Sequence, residues 1–216
     1  KNIDLIKKIQ KARLIRLRQT CSYVKNLITA IPPDLKQGDE NLLSDQDLRN
    51  LIAKYDLNEK PAKIFKLKEL SKKLISKGEK VLIWSTHLKT IDLITKELSR
   101  EGINISKITG KTKLKEREEI KDKFNDSSSN LDAIIAIPQA CSESISLHKA
   151  CHHGIYYDMN YNTSEFLQSL DRIHRVGGSE KNPVFYYFLQ YENSIDLKIY
   201  ERVFEKANRQ MKVIEE

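Results

Sequence analysis

Apolar residues follow two rhythms along this chain, and the change comes at Gly78. Before it the spacing is helical. Ile3, Ile6, Ile9, Leu14 and Leu17 recur at helix-like intervals and predict a basic helix from Lys1 to about Lys25. Ile31-Pro32-Pro33 and Gly38-Asp39-Glu40-Asn41 then break the pattern. Ser44 to Tyr55 reads as a short helix, and Ala62 to Lys77 as a lysine-rich one ending near Gly78. After Gly78, short apolar runs alternate with amphipathic segments. Val81-Leu82-Ile83-Trp84 has the unbroken apolar character of a strand buried on both faces. Leu88 to Arg100 is a helix turning Leu88, Ile91, Ile94 and Leu98 inward, closed by Gly102. Further strands are predicted over Ile103 to Ile108, Leu131 to Ile137, Gly154 to Tyr157 and Val184 to Leu189. Between them Thr112 to Phe124 reads as a charged helix, and a long helix follows from about Ser194. Asn162 is placed to cap a further helix, with Glu165 at the third position inside it.

Strands alternating with helices imply right-handed crossovers and a parallel sheet, so the fold class is α/β. Residues 1–61 are expected to form a helical extension, and 62–216 a lobe with a terminal helix. Ligands in such sheets bind beyond the carboxyl ends of the strands.

Composition narrows the partners. The 216 residues carry a net charge of +8, which favours a polyanion, most simply nucleic acid. No apolar run reaches membrane-spanning length and no signal peptide is visible, so no membrane partner is expected. Cys21, Cys141 and Cys151 cannot all pair and form no CxxC, which places the chain in a reducing, intracellular compartment. Richness in Lys, Ile and Asn points to an AT-rich bacterial genome. The bacterial cytoplasm, on the nucleoid, is therefore expected ahead of a nucleus. The chain does not open with Met, so a monomeric fragment of a longer protein is expected.

The chemistry concentrates in Gln168-Ser169-Leu170-Asp171-Arg172-Ile173-His174-Arg175-Val176-Gly177. On one continuous helix Gln168, Arg172 and Arg175 would share a face at i, i+4 and i+7. Guanidinium is a permanent, planar cation suited to phosphate oxygens. The bland alternative pairs both arginines with Asp171 and Glu165 on a solvated face. The lysine-rich helices read as solvated faces rather than phosphate tracks. His148, Cys151, His152 and His153 fit no zinc spacing, so no metal site is expected.

The stretch resembles the last motif of superfamily 2 helicases, in its Swi/Snf-type form QxxDRxHRxGQ, with Gly178 in place of the final Gln. From about Ala62 to Lys206 further matches come in the family's order. Lys80-Val81-Leu82-Ile83-Trp84-Ser85 resembles its KvLiFS strand. Thr109-Gly110-Lys111-Thr112, with Arg117 and Phe124-Asn125, resembles its dGst…eR…FN segment. Ile137 to Leu147 aligns with its STRAGGxGINL loop, and Asp158 to Arg175 with dxxWNPxxxxQAxDRxHR. Leu14 to Cys21 resembles the LrrLRqiC helix that follows lobe one. The chain departs from the family at Ile137-Pro138, at Ser146, and at the loop glycines, replaced by Cys141, Ser142 and Ser144.

The resemblance implies the second RecA-like lobe of an ATP-dependent translocase on double-stranded DNA. Arg172 and Arg175 are implied as catalytic, with Gln168, Asp171, Glu143 and Ser144 toward the nucleotide. Ser85, Thr86, Thr109, Gly110 and Lys111 are implied at the nucleic acid. No GxxxxGK[ST] and no DExH-type strand end occur, so ATP and magnesium are expected on a preceding lobe. The arginines would reach them across the cleft, and the fragment alone would be inactive. Two alternatives stand: a lobe of a DEAD/DEAH-like RNA helicase, or a stand-alone DNA-binding regulatory module with a degenerate nucleotide site.

Overall fold

The structure, a computed structural model, describes residues 2–28, 50–55, 59–141, 145–174 and 183–215. Five strands form one sheet: β1 (Lys80–Trp84), β2 (Ile105–Ile108), β3 (Ala133–Ala136), β4 (Cys151–Tyr156) and β5 (Phe185–Phe188). Their order is β2-β3-β1-β4-β5, and every pairing is parallel. The helices are α1 (Asn2–Ser22), α2 (Ala62–Ile75), α3 (Leu88–Arg100), α4 (Leu114–Asn125), α5 (Thr163–Leu170) and α6 (Ile195–Glu215). Residues 50–55 are helical too, within the stretch read from Ser44 to Tyr55. The breaks at Ile31-Pro32-Pro33 and Gly38 to Asn41 lie outside the described residues.

Side chains alternate across the strands, and both sheet faces are covered. One face presents Leu82, Trp84, Ile134 and Tyr156 to Phe124 of α4, Phe166 of α5 and Val203 of α6. The other presents Val81, Ile83, Ile135 and Ile155 to Ile64 and Leu67 of α2 and Ile91, Ile94 and Leu98 of α3. Double coverage is why β1 and β3 read as unbroken apolar runs.

Two boundaries differ from the sequence reading. Leu88, expected inward, is 48% exposed, because the first residue of α3 precedes the turns that pack on the sheet. β4 starts at Cys151 rather than Gly154, with Cys151 beside Lys80 and His153 beside Val81 of β1. Its opening residues look polar, yet Cys151 is fully buried. Gly78 (φ 82) takes the left-handed conformation between α2 and β1, which glycine adopts without strain.

Candidate nucleotide and nucleic-acid interface

Parallel strands deliver Ser85, Thr109, Ile137, Tyr157 and Leu189 to one edge of the sheet. There Asp158 is 6% exposed, and a carboxylate taken from water needs partners for every lone pair. Ser22 and Ser85 each donate a hydroxyl to Oδ2 at 2.7 Å. Thr86 donates its N–H at 2.7 Å and its hydroxyl at 2.6 Å to Oδ1. Four donors fill the carboxylate. Burial works to raise the Asp158 pKa, but His87 and the Thr86, Ser22 and Ser85 hydrogen bonds outweigh it and hold the group below its ordinary value. Burial drives the His87 pKa down, so near neutral pH the hydroxyls and the Thr86 N–H carry the anion.

One of those donors comes from the N-terminal extension. Ser22 ends α1, and since its proton goes to Asp158 it accepts from Thr90 at 2.7 Å. Thr90 accepts in turn from the Asn26 amide at 2.9 Å. Four residues earlier, Arg18 donates to the Met159 carbonyl at 3.3 Å and to the Thr86 hydroxyl at 3.2 Å. The extension thus docks on the strand-end edge through one buried polar hub. The expected nucleic-acid role of Ser85 is corrected here: it is fully buried and its hydroxyl is committed to Asp158. Thr86, half-buried, spends both donors on the same carboxylate.

The loop after β2 is built differently. Buried Thr109 accepts the Lys111 N–H on its hydroxyl at 3.3 Å and donates its own N–H to the Thr112 hydroxyl at 3.0 Å. These bonds close the loop and leave Gly110 and Lys111 exposed at its tip. Of the five residues expected at nucleic acid, these two are the ones open to solvent.

α5 begins as its sequence reads. Asn162 accepts the Glu165 N–H at 3.3 Å, and its amide donates to the Glu165 carboxylate at 2.5 Å. The Gln139 and Asn160 amides donate to the same carboxylate, each at 2.8 Å. The far end is a correction. α5 stops at Leu170 and residues 171–173 form a turn, so Gln168 and Arg172 are not parts of one continuous helical stripe. Beyond it the backbone tightens, with the Arg172 and Ile173 N–H groups donating to the Ser169 and Leu170 carbonyls, each at 3.3 Å, while Ser169 donates its hydroxyl to the Phe166 carbonyl at 2.6 Å and Tyr186 to the Leu170 carbonyl at 2.9 Å. Ile173 then turns onto β4 at Gly154, where an added Cβ would stand 3.1 Å from Ile173 Cδ1.

Arg172 Nε donates to the Gln168 carbonyl at 2.9 Å, and Nη1 to the Ile145 carbonyl at 3.3 Å. The Arg172 carbonyl accepts the Leu147 N–H at 2.8 Å. Reciprocal bonds therefore join the end of α5 to the segment at 145–147. Gln168 and Asp171 are exposed beside this turn. Arg175, Glu143 and Ser144 lie outside the described residues. Of the described residues, those expected around nucleotide (Gln168, Asp171 and Arg172) lie at the turn after α5, and those expected at nucleic acid lie at the strand-end edge. Sequence reasoning did not single out Asp158, Arg18 or His87. The available signal was a charged residue just past the apolar β4 run, facing a Ser-Thr pair just past β1.

The donors at the turn after α5 are guanidinium and amide groups, suited to phosphate oxygens. Among the described residues, no three His, Cys, Asp or Glu side chains are grouped to hold a metal, and no helix is long and apolar enough to cross a membrane. Residues 62–177 match the helicase conserved C-terminal domain family. The chain belongs to that family. Its relatives are of the Swi/Snf type. ATP-dependent DNA helicase DDM1 of Arabidopsis thaliana is 30% identical over 206 residues, 93% of this chain and 24% of that protein. SWI/SNF-related matrix-associated actin-dependent regulator of chromatin subfamily A member 1 of Homo sapiens is 28% identical over 209 residues, 94% of this chain and 18% of that protein. The chain thus spans about a quarter or less of these relatives' length. Among solved structures, the C-terminal part of the Fun30 ATPase domain superposes with a TM-score of 0.61 at 24% identity. That match covers 86% of this chain and 65% of the other, and it shows the shared RecA-like fold.

These comparisons overturn the expected bacterial cytoplasm. The relatives come from a plant, mammals and yeast, and several are chromatin proteins by name, which points to a nucleus. Lys, Ile and Asn usage follows genomic base composition, which eukaryotic genomes can share, and it carries no information on compartment.

Proposed function

We propose that this helicase C-terminal domain is the second motor lobe of an ATP-dependent translocase on double-stranded DNA. Arg172 and Arg175 face a nucleotide seated on the preceding lobe, and Gly110 and Lys111 meet the DNA backbone. The reading is carried by the reciprocal bonds between Arg172 and residues 145–147. They join the two segments that the resemblance assigns to nucleotide, and among the described residues no carboxylate pairs with the guanidinium. ATP, with its magnesium on the other lobe, would supply the phosphoryl group. This lobe's part is to set positive charge where the γ-phosphate develops negative charge, the role of an arginine finger. Gln168 and Asp171 flank that position. Alone, the domain hydrolyses ATP at no more than background rate.

Duplex binding by the intact protein, titrated against salt, tests the reading. Log affinity should fall with log salt at a slope of about −0.9 per phosphate neutralised, and Lys111→Ala should reduce the slope by about 0.9. Binding indifferent to salt, or a strong preference for single-stranded RNA, would overturn the duplex-DNA assignment.

A further inference from the structure

Arg117 belongs to neither group of candidate residues, yet it reaches toward both. It lies one turn into α4, half-buried. Its guanidinium spans three backbone carbonyls. Nε donates to Thr112 at 2.9 Å, Nη2 to Thr109 at 3.2 Å and Nη1 to Ala140 at 2.6 Å. Thr109 and Thr112 bracket the tip that exposes Gly110 and Lys111. Ala140 lies in the helical turn Pro138–Cys141 that follows β3. Carbonyls leaving a sheet edge lack ladder partners, and a rigid five-donor fork can satisfy several from different loops at once.

Beside Ala140, Cys141 is 3% exposed. It packs in the same buried cluster as Ile145, Leu147 and Ile173, the residues around the Arg172 turn, and burial pushes its thiol up to about 12. Where the resembled family has glycine, this chain has a side chain that fills the space. Hydrogen bonds thus run from the tip through Arg117 to Ala140, and buried packing joins Cys141 to Ile145 and Leu147, which are bonded to Arg172.

We infer that Arg117 is a positioning residue that couples nucleic-acid occupancy at the Gly110–Lys111 tip to the placement of Arg172. The inference rests on the translocase reading. A phosphate drawn to the tip shifts the Thr109 and Thr112 carbonyls, the guanidinium follows, and the turn carrying Ala140 and Cys141 moves with it.

The test uses the intact protein, with both lobes. Duplex affinity is measured with and without a non-hydrolysable ATP analogue, and the ratio of the two affinities is the coupling. Coupling between two binding sites usually amounts to about 5–150-fold and is reciprocal. Arg117→Lys keeps the charge but loses the fork. It should cut the ratio by about 2–30-fold, the scale of residues lying between coupled sites, and leave nucleotide-free DNA affinity near the parental value. A folded variant with a parental ratio overturns the inference. So does one that loses DNA affinity while keeping the ratio, since that marks a mere loop support. If the unaltered protein binds no duplex, or binds it without regard to nucleotide, the translocase reading itself fails. Should Arg117→Lys not fold, amide exchange at Leu147 in the unaltered protein decides. Its N–H donates to the Arg172 carbonyl, and duplex should slow its exchange; an unchanged rate overturns the coupling.

Discussion

Asp158 and Arg172 stand at two polar clusters beside β4, and their charges are answered in opposite ways. Asp158 is buried and met by four donors from Ser22, Ser85 and Thr86. Nothing of that carboxylate is left for a ligand, so the cluster is structure: it fastens α1 to the sheet edge. Arg172 is half-buried and donates to the Gln168 and Ile145 carbonyls. Carbonyl dipoles hold a guanidinium in place, and no carboxylate among the described residues cancels its charge. The difference separates a group that shapes the lobe from the one we propose acts on an anion.

The comparison breaks first at stability. Asp158→Ala should cost about 3–5 kcal/mol, since several buried donors lose their acceptor at once, at about 1–3 kcal/mol for each one left unsatisfied. Arg172→Ala should cost about 1 kcal/mol, since it removes hydrogen bonds from a half-buried side chain. Urea unfolding of both variants measures this. Equal losses would erase the distinction drawn between the clusters.

A smaller effect sharpens it through pH. Burial lowers the His87 pKa in the fold, so as pH falls through about 6.5 the unfolded chain takes up a proton that the folded chain refuses. Stability linked to His87 is therefore full above that pH and declines below it. Asp158, held below its ordinary carboxylate value, adds a further loss only in stronger acid. Melting temperatures between pH 8 and 5 should fall for the parent and fall less for His87→Gln. A parental profile in the variant would remove His87 from the hub's energetics. His153, also lowered by burial, keeps part of the slope in both proteins.

Much of the fold was legible because burial on both faces writes itself into runs such as Val81 to Trp84 and Ala133 to Ala136. The helix from Leu88 to Arg100 was legible from its apolar period and from Gly102, and the start of α5 from Asn162 and Glu165. The helix-like spacing of Gln168 and Arg172 did not reveal that α5 ends between them at Leu170, where Tyr186 from another strand bonds the carbonyl and Ile173 packs on Gly154. Ser85 misled in the same way: position at a strand end does not distinguish a hydroxyl facing solvent from one facing Asp158. The hub needed tertiary information, since Ser22 and Asp158 are 136 residues apart in sequence.

The central claim, that the turn after α5 presents arginine fingers, is tested most directly by single-turnover ATP hydrolysis in the intact protein at saturating duplex DNA. Arg175→Ala and Arg172→Ala should each slow hydrolysis by roughly 10³–10⁵-fold, about 4–7 kcal/mol at 1.36 kcal/mol per decade. Surface ion pairing would be worth only about 0–1 kcal/mol, and Arg175→Lys should not restore the rate. Melting temperature reports whether each variant is folded. Near-parental rates in both folded alanine variants would contradict the assignment and make the motif a structural one.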